Sequence, residues 1–532
     1  MSGLAGTGTM LRLDLRRDRA LIPLSVVALV AFAGSSAQAT LALYVSPAQA
    51  VEAAKGVAAS PALTGMYGPI ADPTNPDSVA ILKTMVMGGV FTALLASALV
   101  RRHTRTEEET GRTELLGAGV LGRKAPLTAA LLLAAAVVVV TGLLASISLV
   151  ANGLDTSGSI AFGLAWVGIG LSFSGITAVA AQVTQTARGC AGLALGALGV
   201  AYLLRAVGDT STGALGALTW LSPIGWAEKL EVFGADRFVV MLIPLAFFVS
   251  TVGVAFALLE RRDLGTGLVA PRPGPATAAT SLDSPFALAW RLQRGGLLAC
   301  AIAYLVLGLV LGAVARNVGS VVDTPEVEDV LRKMGGDAAT LSDVFLSTEL
   351  RFLAVGAAAY GIFTALRLRA EETARHAEQL LATTSSRHSL LASHAVLALL
   401  GSAAVMALLG LGLAVSAAGP YGGFVPGLAH IMPAALSPIP AVWVCIGLAL
   451  AIFGSLPRLV FAAWGLLAAF LVLGEFGPLL NLPSAAIDLS PFSHGSVVPG
   501  GTVAAAPHLA LLAIAGALVI AAAGTFRRRD IG

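Results

Sequence analysis

Long apolar blocks alternate with short polar stretches from one end of the chain to the other. Each block is about 20 residues long, the length that a helix needs to cross the roughly 30 Å hydrocarbon layer of a bilayer. Alternating ten-residue segments, the signature of a membrane β-barrel, are absent from the pattern. We therefore expect an all-α polytopic membrane protein with about twelve transmembrane helices. The predicted spans are 21–45, 80–100, 125–151, 159–184, 188–207, 237–259, 296–315, 350–366, 390–416, 428–454, 457–477 and 503–525.

Composition and charge agree with this pattern. Only 12% of the 532 residues are charged and 56% are hydrophobic, whereas soluble domains carry about 25% charged residues. If the N-terminus is inside, 24 of the 33 basic residues lie on the cytoplasmic side and 9 outside. This asymmetry predicts a multi-pass plasma-membrane protein with both termini in the cytoplasm. It also explains the net charge of +3 without a nucleic-acid partner.

A charged segment occurs twice, each time after a second span and before a third. A gapless shift of 264 superimposes residues 105–123 on residues 369–387. A second echo, Leu-Ser-Pro followed by an apolar residue, begins at Leu221 and again at Leu489. We predict two parallel six-helix repeats, 1–261 and 286–532, joined by a proline-rich cytoplasmic linker at 262–285. The matching charged positions are Arg105 with Arg369, Glu107 with Glu371, Glu108 with Glu372, Arg112 with His376, Glu114 with Glu378, and Arg123 with Arg387.

Two long outer loops, 46–79 and 316–349, also occupy matching positions. Each contains a helix-start signal, a capping residue followed by proline, at Ser46-Pro47 and at Thr324-Pro325. Short external helices are expected there, and disordered loops are the alternative.

Signatures of catalysis are missing from the sequence. None of the five lysines follows a glycine, so there is no phosphate-binding P-loop. No histidine pair has the spacing of a helical zinc site. Ser172 and Ser174 lie beside glycines, but their span has no histidine to activate them, and Ser/Gly faces commonly pack helices. We expect no catalytic residue, no metal site and no cofactor bound by this chain. Polar residues of the fourth span could line a substrate path, although none is predicted individually: Ser172, Ser174, Thr177 and Gln182.

The predicted spans also contain few ionisable residues, which a proton-driven transporter would need inside the membrane. Glu475, Lys83 and Arg205 lie near outer ends, where side chains can reach the interface. The energy for any transport is therefore expected to come from outside the bilayer. The repeated charged segment can be interpreted as a solvated juxtamembrane face or as a docking surface. Its glutamates favour docking to a soluble partner, because anionic lipid headgroups would repel them.

The order of these features resembles a known family. A basic amphipathic segment, a first span, a long outer loop and a second span precede Arg-x-Glu-Glu-x-x-x-Arg-x-Glu-Leu-Leu, which begins at Arg105. This arrangement resembles the permease subunits of ABC-2-type exporters, in particular the large duplicated permeases of the actinobacterial polyketide-antibiotic (tetronasin-type) and multidrug efflux group. The second copy departs from the pattern where His376 replaces Arg112.

The resemblance implies a transport subunit rather than an enzyme. A separate ABC ATPase subunit, in two copies, would bind ATP and Mg²⁺, and a hydrophobic drug or antibiotic would be the exported substrate. The charged segments would be coupling helices, and the basic segments 10–19 and 286–294 would be interfacial elbow helices. Loops before the sixth and twelfth spans would form short re-entrant or external helices. The implied docking residues are Arg105, Glu107, Glu108, Arg112, Glu114, Arg369, Glu371, Glu372, His376 and Glu378.

Two alternatives remain open from the sequence. The first is a proton-coupled drug antiporter of the major-facilitator kind, with six plus six helices. The second is a membrane component that does not transport, such as a scaffold or a sensor.

Overall fold

A computed structural model describes the chain except for a set of short segments and one longer one. All regular secondary structure in the described residues is helical. The chain divides into two compact units, Met1–Gly274 and Pro275–Gly532. The residues outside the description are 1–2, 43, 45, 59–60, 118–120, 212, 264, 270–275, 278, 319–340, 420, 477–482, 496–498, 500–503 and 530–532.

The first unit contains thirteen α-helices within the described residues. They are α1 (Thr7–Arg17), α2 (Leu21–Ala42), α3 (Pro47–Ala58), α4 (Pro61–Tyr67), α5 (Asp77–Ala80), α6 (Leu82–His103), α7 (Arg105–Glu109), α8 (Arg112–Gly117), α9 (Ala125–Ala151), α10 (Thr156–Val183), α11 (Ala187–Thr210), α12 (Pro223–Glu228) and α13 (Leu242–Glu260). Two 3₁₀ segments, Gly213–Leu221 and Phe238–Met241, precede α12 and α13.

Helix α10 lies at the centre of this unit, where it packs against α6, α9, α11 and α13. Small residues in α10 allow the neighbouring helices to approach it closely. A methyl group on Gly163 would lie 2.3 Å from the carbonyl oxygen of Gly142 on α9, so the two backbones touch only because both residues are glycine. The hydroxyls of Ser172 and Ser174 donate to carbonyls one turn earlier in α10, at 2.8 and 2.9 Å. These serines therefore belong to a packed helix face.

The second unit is built in a similar order. Its helices are α14 (Pro285–Val318), α15 (Leu341–Thr373), α16 (His376–Leu381), α17 (Arg387–Ser416), α18 (Phe424–Leu436), α19 (Ile439–Ser455), α20 (Ala462–Leu471), α21 (Ser484–Ile487) and α22 (Ala505–Arg528). Helix α19 is the buried one here, and it packs against α15, α17 and α22. Glycine again sets the closest approach: a methyl group on Gly308 of α14 would lie 2.2 Å from the carbonyl oxygen of Leu409 on α17.

Eleven helices among the described residues are long and apolar enough to cross a membrane. The predicted span at 457–477 is the exception. It begins with a 3₁₀ turn at Pro457–Leu459, and its apolar helix covers only Ala462–Gly474, about 20 Å at 1.5 Å per residue. Residues 477–482 lie outside the description, so the count of twelve stays a prediction.

Of the two expected elbow helices, only the first is separate from the membrane-spanning helix that follows it. Helix α1 ends before a turn at Asp18–Ala20, and α2 then begins at Leu21. Pro23 explains this break, because its ring would clash with the carbonyl four residues earlier in a continuous helix. The expectation of an elbow at 286–294 is wrong: α14 runs unbroken from Pro285 and contains no further proline.

The first outer loop contains helices, as the capping signal predicts. Helix α3 begins at Pro47, and the backbone nitrogen of Gln49 lies 3.4 Å from the hydroxyl of Ser46. Most of the second outer loop, including its predicted helix start at Thr324-Pro325, lies outside the described residues.

Candidate functional site

The charged loop of the first unit, α7 and α8, is held by a buried cluster of charges. Both carboxylate oxygens of Glu108 accept hydrogen bonds from Arg262, which follows α13, at 2.6 and 2.8 Å. Arg105 also donates to Glu108, at 2.8 Å. The side chains of Arg105, Glu108 and Arg262 are 0%, 9% and 2% exposed. Because the Glu108–Arg262 ion pair is bidentate and shielded from water, it fixes the loop to the residues that follow α13.

Backbone carbonyls and one amide side chain complete this cluster. The carbonyl oxygen of Ala181 accepts from the Nε of Arg105 at 2.9 Å, and the carbonyl oxygen of Thr266 accepts from its Nη1 at 3.1 Å. The Nε of Arg262 donates to the side-chain oxygen of Gln182 at 2.7 Å. The two cations thus bind the last turn of α10 as well as Glu108.

Arg123, which precedes α9, closes the arrangement. It donates to the carbonyl oxygen of Leu259 at 2.9 Å and also to that of Arg262. A cation at this place satisfies carbonyls at the C-terminus of α13 and interacts favourably with the helix dipole. We call Glu108, Arg262 and Arg123 the first latch.

The second unit contains the same arrangement at the matching positions. Glu372 pairs with Arg529, which follows α22. Arg387, at the start of α17, donates to the carbonyl oxygen of Arg527 at 3.1 Å and to that of Arg529. We call Glu372, Arg529 and Arg387 the second latch. Both latches therefore join a charged loop to the end of its unit's last helix.

The remaining charged positions of the two loops correspond in part. Glu107 lies 3.6 Å from Arg112, and Glu371 lies 3.0 Å from the ring of His376 at the matching place. Glu107 is buried and also pairs with Arg17 of α1 at 2.6 Å. Glu371 pairs instead with Arg367, one turn earlier on α15, at 3.5 Å.

The ten predicted docking residues thus fall into two groups. Arg105, Glu107 and Glu108 point into the first unit, and Arg369, Glu371 and Glu372 are half-buried. Exposed positions are the second half of each motif: Arg112, Glu114, His376 and Glu378. Leu115, 80% exposed, extends the first exposed group.

The second sequence echo corresponds to a repeated contact at the other end of each unit. Ser222 precedes α12 and donates to the carbonyl oxygen of Ala201 on α11 at 2.7 Å. Ser490 precedes a 3₁₀ turn at Pro491–His494 and donates to the carbonyl oxygen of Phe470 on α20 at 2.8 Å. In both units the Leu-Ser-Pro segment is fastened to the preceding apolar helix.

Comparison with known proteins places this architecture in a family. Residues 282–527 match the family described as multidrug efflux system permease Rv1217c, C-terminal domain. The multidrug efflux system permease protein Rv1217c of Mycobacterium tuberculosis (strain ATCC 25618 / H37Rv) is 39% identical over 538 residues, which cover 100% of this chain and 96% of that protein. The chain belongs to this family of multidrug efflux permeases. It is a multi-pass membrane permease, in agreement with the eleven long apolar helices among the described residues.

Two features of this permease were missed by reasoning from sequence. Arg262 and Arg529 carry the latches, but the sequence indicates them only as part of the basic excess at helix ends. Arg205 was expected to reach the membrane surface, and that expectation is wrong: its side chain is 0% exposed and pairs with Glu228 at 3.0 Å. The loops that cover Arg205 lie far from it in sequence, so only the fold reveals its burial.

Proposed function

We propose that this permease is the membrane-spanning subunit of an ATP-driven ABC exporter, which moves hydrophobic drugs or antibiotics out of the cell with ATP hydrolysed by a separate subunit in two copies. The repeated latch is the observation that carries the proposal. In each unit a charged loop is joined in the same way to the last helix. This arrangement suits a protein on which two identical ATPase subunits act, one at each loop.

In this mechanism each ATPase subunit contacts the exposed half of one charged loop. Arg112 and Glu114 form the first contact, and His376 and Glu378 form the second. The latches then carry the movement onward, since Glu108 and Glu372 connect the loops to α13 and α22 through ion pairs. The matching loops, latches and Leu-Ser-Pro contacts support two parallel six-helix repeats, with α20 and its neighbouring residues as the eleventh of twelve spans.

One observation favours a proton-coupled antiporter as a second candidate. Arg205 and Asp209 lie in α11 with side chains that are 0% and 1% exposed, whereas the sequence suggested that the spans lack buried charge. A proton-driven transporter uses such groups. The pair occurs at one end of a single helix, however, and the corresponding helical segment, which continues through Val472–Phe476, contains Glu475 but no basic residue to pair with it.

Transport in vesicles separates the two candidates. The full chain is reconstituted with and without a candidate ABC ATPase subunit, and uptake of ethidium into inside-out vesicles is measured. We expect uptake that requires ATP, stops with a non-hydrolysable ATP analogue and survives an uncoupler. Uptake by the chain alone under an imposed proton gradient would contradict the proposal and establish the antiporter.

The docking surface has its own test. The double variant Glu114→Lys/Glu378→Lys should lose co-purification of the ATPase, because it reverses an exposed charge in each loop while leaving both latches intact. Glu52→Lys is the matched control, since Glu52 is 80% exposed on α3 in the loop predicted to lie outside. Unchanged co-purification of the double variant would overturn the proposed docking surface.

A further inference from the structure

Three charged side chains meet in the interior of the first unit, at the end opposite the latch. Arg205 of α11 lies 3.0 Å from Glu228 at the end of α12, and 3.5 Å from Asp209 one turn further along α11. Their side chains are 0%, 3% and 1% exposed. Thr219 donates to the other oxygen of Asp209 at 2.8 Å.

Arg205 also holds a helix of the outer loop. Its Nη2 donates to the carbonyl oxygens of Gly65 and Met66, near the C-terminus of α4, at 2.8 Å each. Tyr202 donates to the same Met66 oxygen at 2.8 Å, and the guanidinium lies 4.5 Å from the centre of the Tyr202 ring. The guanidinium thus joins α4, α11 and α12.

The charges of this cluster do not balance. One guanidinium faces two carboxylates, which leaves one negative charge in a site shielded from water. The Oε2 of Glu228 is buried and makes no hydrogen bond to any atom of the described residues. An unpaired buried charge of this kind is costly, so the site requires one more positive charge.

A cavity beside Glu228 limits the size of the cation that could supply this charge. The cavity has a volume of about 30 Å³ and is lined mainly by Tyr67, Ile70, Ser78, Met85 and Val232. Room for about one water molecule is available there, which excludes a drug-sized cation. A methyl group on Gly68, whose φ is +98°, would lie 2.7 Å from the Oε1 of Glu228, so glycine keeps the backbone close to the carboxyl group.

We propose that Glu228 keeps one bound proton in this cluster, and that this proton-binding site controls how firmly Arg205 holds α4. With the proton bound, one carboxylate balances one guanidinium, and the Nη2 of Arg205 remains on the carbonyls of α4. Without the proton, a second carboxylate competes for the same guanidinium and the hold on α4 weakens. The site would thus link the packing of the outer loop to the pH on that side.

The surroundings of Glu228 agree with this assignment. Burial raises the pKa of Glu228 well above its ordinary value of 4.5; attraction to Arg205 opposes the shift, and repulsion from Asp209 adds to it. Helix α11 contributes Tyr202, and Tyr67 of α4 lines the cavity. The 3₁₀ segments Gly213–Leu221 and Phe238–Met241, which pack against α12, contain no acid or base. Helix α10 contains no acid or base, and α6 contributes only the apolar Leu82 and Met85 to the cavity.

The sign of the pH effect follows from this shift. Between 4.5 and the raised folded-state value, the folded protein binds a proton that the unfolded chain releases. The contribution to stability is complete below the unfolded value and is lost as the pH rises through the folded value. Thermal unfolding of the purified full-length chain in detergent, between about pH 5 and about pH 8, measures this loss.

The test compares the wild type with Glu228→Gln, which mimics the protonated carboxyl. The wild-type Tm should fall by about 2 °C more per pH unit within the window than the Tm of Glu228→Gln. Asp209→Asn should also lose this extra pH dependence of the Tm, because one carboxylate then faces one guanidinium. This variant serves as the test if Glu228→Gln does not fold. Glu231→Gln is the control: Glu231 lies three residues away in an ion pair with Arg237 at 3.1 Å and is 31% exposed, so this variant should keep the wild-type slope.

Two results overturn the proposal. The first is an equal pH slope in the wild type, Glu228→Gln and Asp209→Asn. The second is a stabilisation that follows sodium concentration, with choline as the substitute ion, at constant pH, which would assign the missing charge to a metal ion. Thermal unfolding requires neither ATP nor a gradient, so these outcomes are independent of the energy source of transport.

Discussion

The two latches are built from the same residue types but differ in how far water reaches them. In the first latch Glu108 and Arg262 are 9% and 2% exposed, and Arg105 adds a second buried guanidinium. In the second latch Glu372 and Arg529 are 13% and 16% exposed. Arg529 stacks instead on aromatic rings, 4.9 Å from the centre of Phe453 and 5.3 Å from that of Phe526.

This difference shows that one contact pattern can be stabilised in two ways. The first latch depends on charge compensation, because its two guanidinium groups would be left without their carboxylate if Glu108 were lost. The second latch depends more on cation–π stacking and on packing of the Arg529 side chain. Loss of the acid should therefore be felt more strongly in the first unit than in the second.

The largest expected effect is that of Glu108→Gln. Removal of one partner from a buried ion pair costs about 3–5 kcal/mol, and Arg105 and Arg262 both lose their counter-charge. Unfolding in mixed detergent and SDS measures the free energy of the variant. Glu114→Gln, an exposed glutamate in the same loop, is the control and should differ little from the wild type. A loss below about 1 kcal/mol for Glu108→Gln, the range of exposed pairs, would contradict the buried latch.

The substitution Glu372→Gln should lower the free energy of unfolding less than Glu108→Gln does. The pair is partly open to water, and Arg529 retains its stacking on Phe453 and Phe526. We expect a loss of about 1–2 kcal/mol, between the values for exposed and for buried pairs, in the same unfolding measurement. Equal losses in the two variants would remove the distinction between the latches.

The serines of the two Leu-Ser-Pro segments offer a second comparison. Ser222 donates to Ala201 and also caps α12 by accepting from the backbone nitrogens of Ile224 and Gly225, at 3.2 and 3.3 Å. Ser222→Ala should therefore cost about 2 kcal/mol, a lost cap together with a lost buried hydrogen bond.

Ser490→Ala should cost only about 1 kcal/mol, because it loses a single hydrogen bond. Thermal unfolding of both variants checks the order. A larger loss at Ser490 than at Ser222 would show that the cap on α12 contributes nothing.

The smallest effect concerns the position where the two motifs differ. Arg112→His makes the first loop resemble the second, where His376 faces Glu371. The Arg112 side chain is 55% exposed and lies 3.6 Å from Glu107, so the change in unfolding free energy should stay within about 0.5 kcal/mol. A larger change would mean that the two loops are not interchangeable at this point.

Much of the fold follows from sequence because the bilayer imposes one length on every spanning helix. Helices α9 and α17 nearly coincide with the predicted spans 125–151 and 390–416. The wrong prediction of a second elbow has a local cause: Pro23 separates α1 from α2, whereas no proline interrupts α14 after Pro285. The helix at Ala462–Gly474 is apolar throughout but shorter than its predicted span.

The candidate site was less predictable. The shift of 264 identifies Glu108 and Glu372, but their partners lie 154 and 157 residues away, and no local pattern signals such a pairing. Burial of Glu107 and Glu108 likewise depends on α1 and on the residues after α13. The repeat in the sequence indicates a charged surface, and tertiary contacts decide which of its acids remain exposed.

A double-mutant cycle on Glu108 and Arg262 tests the latch most directly. The unfolding free energies of Glu108→Gln, Arg262→Gln and the double variant are compared with that of the wild type in the same mixed detergent. The latch predicts that the double variant loses less stability than the sum of the two single losses, by about 2–3 kcal/mol, at the upper end of couplings between residues in contact. Additive losses, within about 0.5 kcal/mol, would contradict a direct latch between the charged loop and the end of α13.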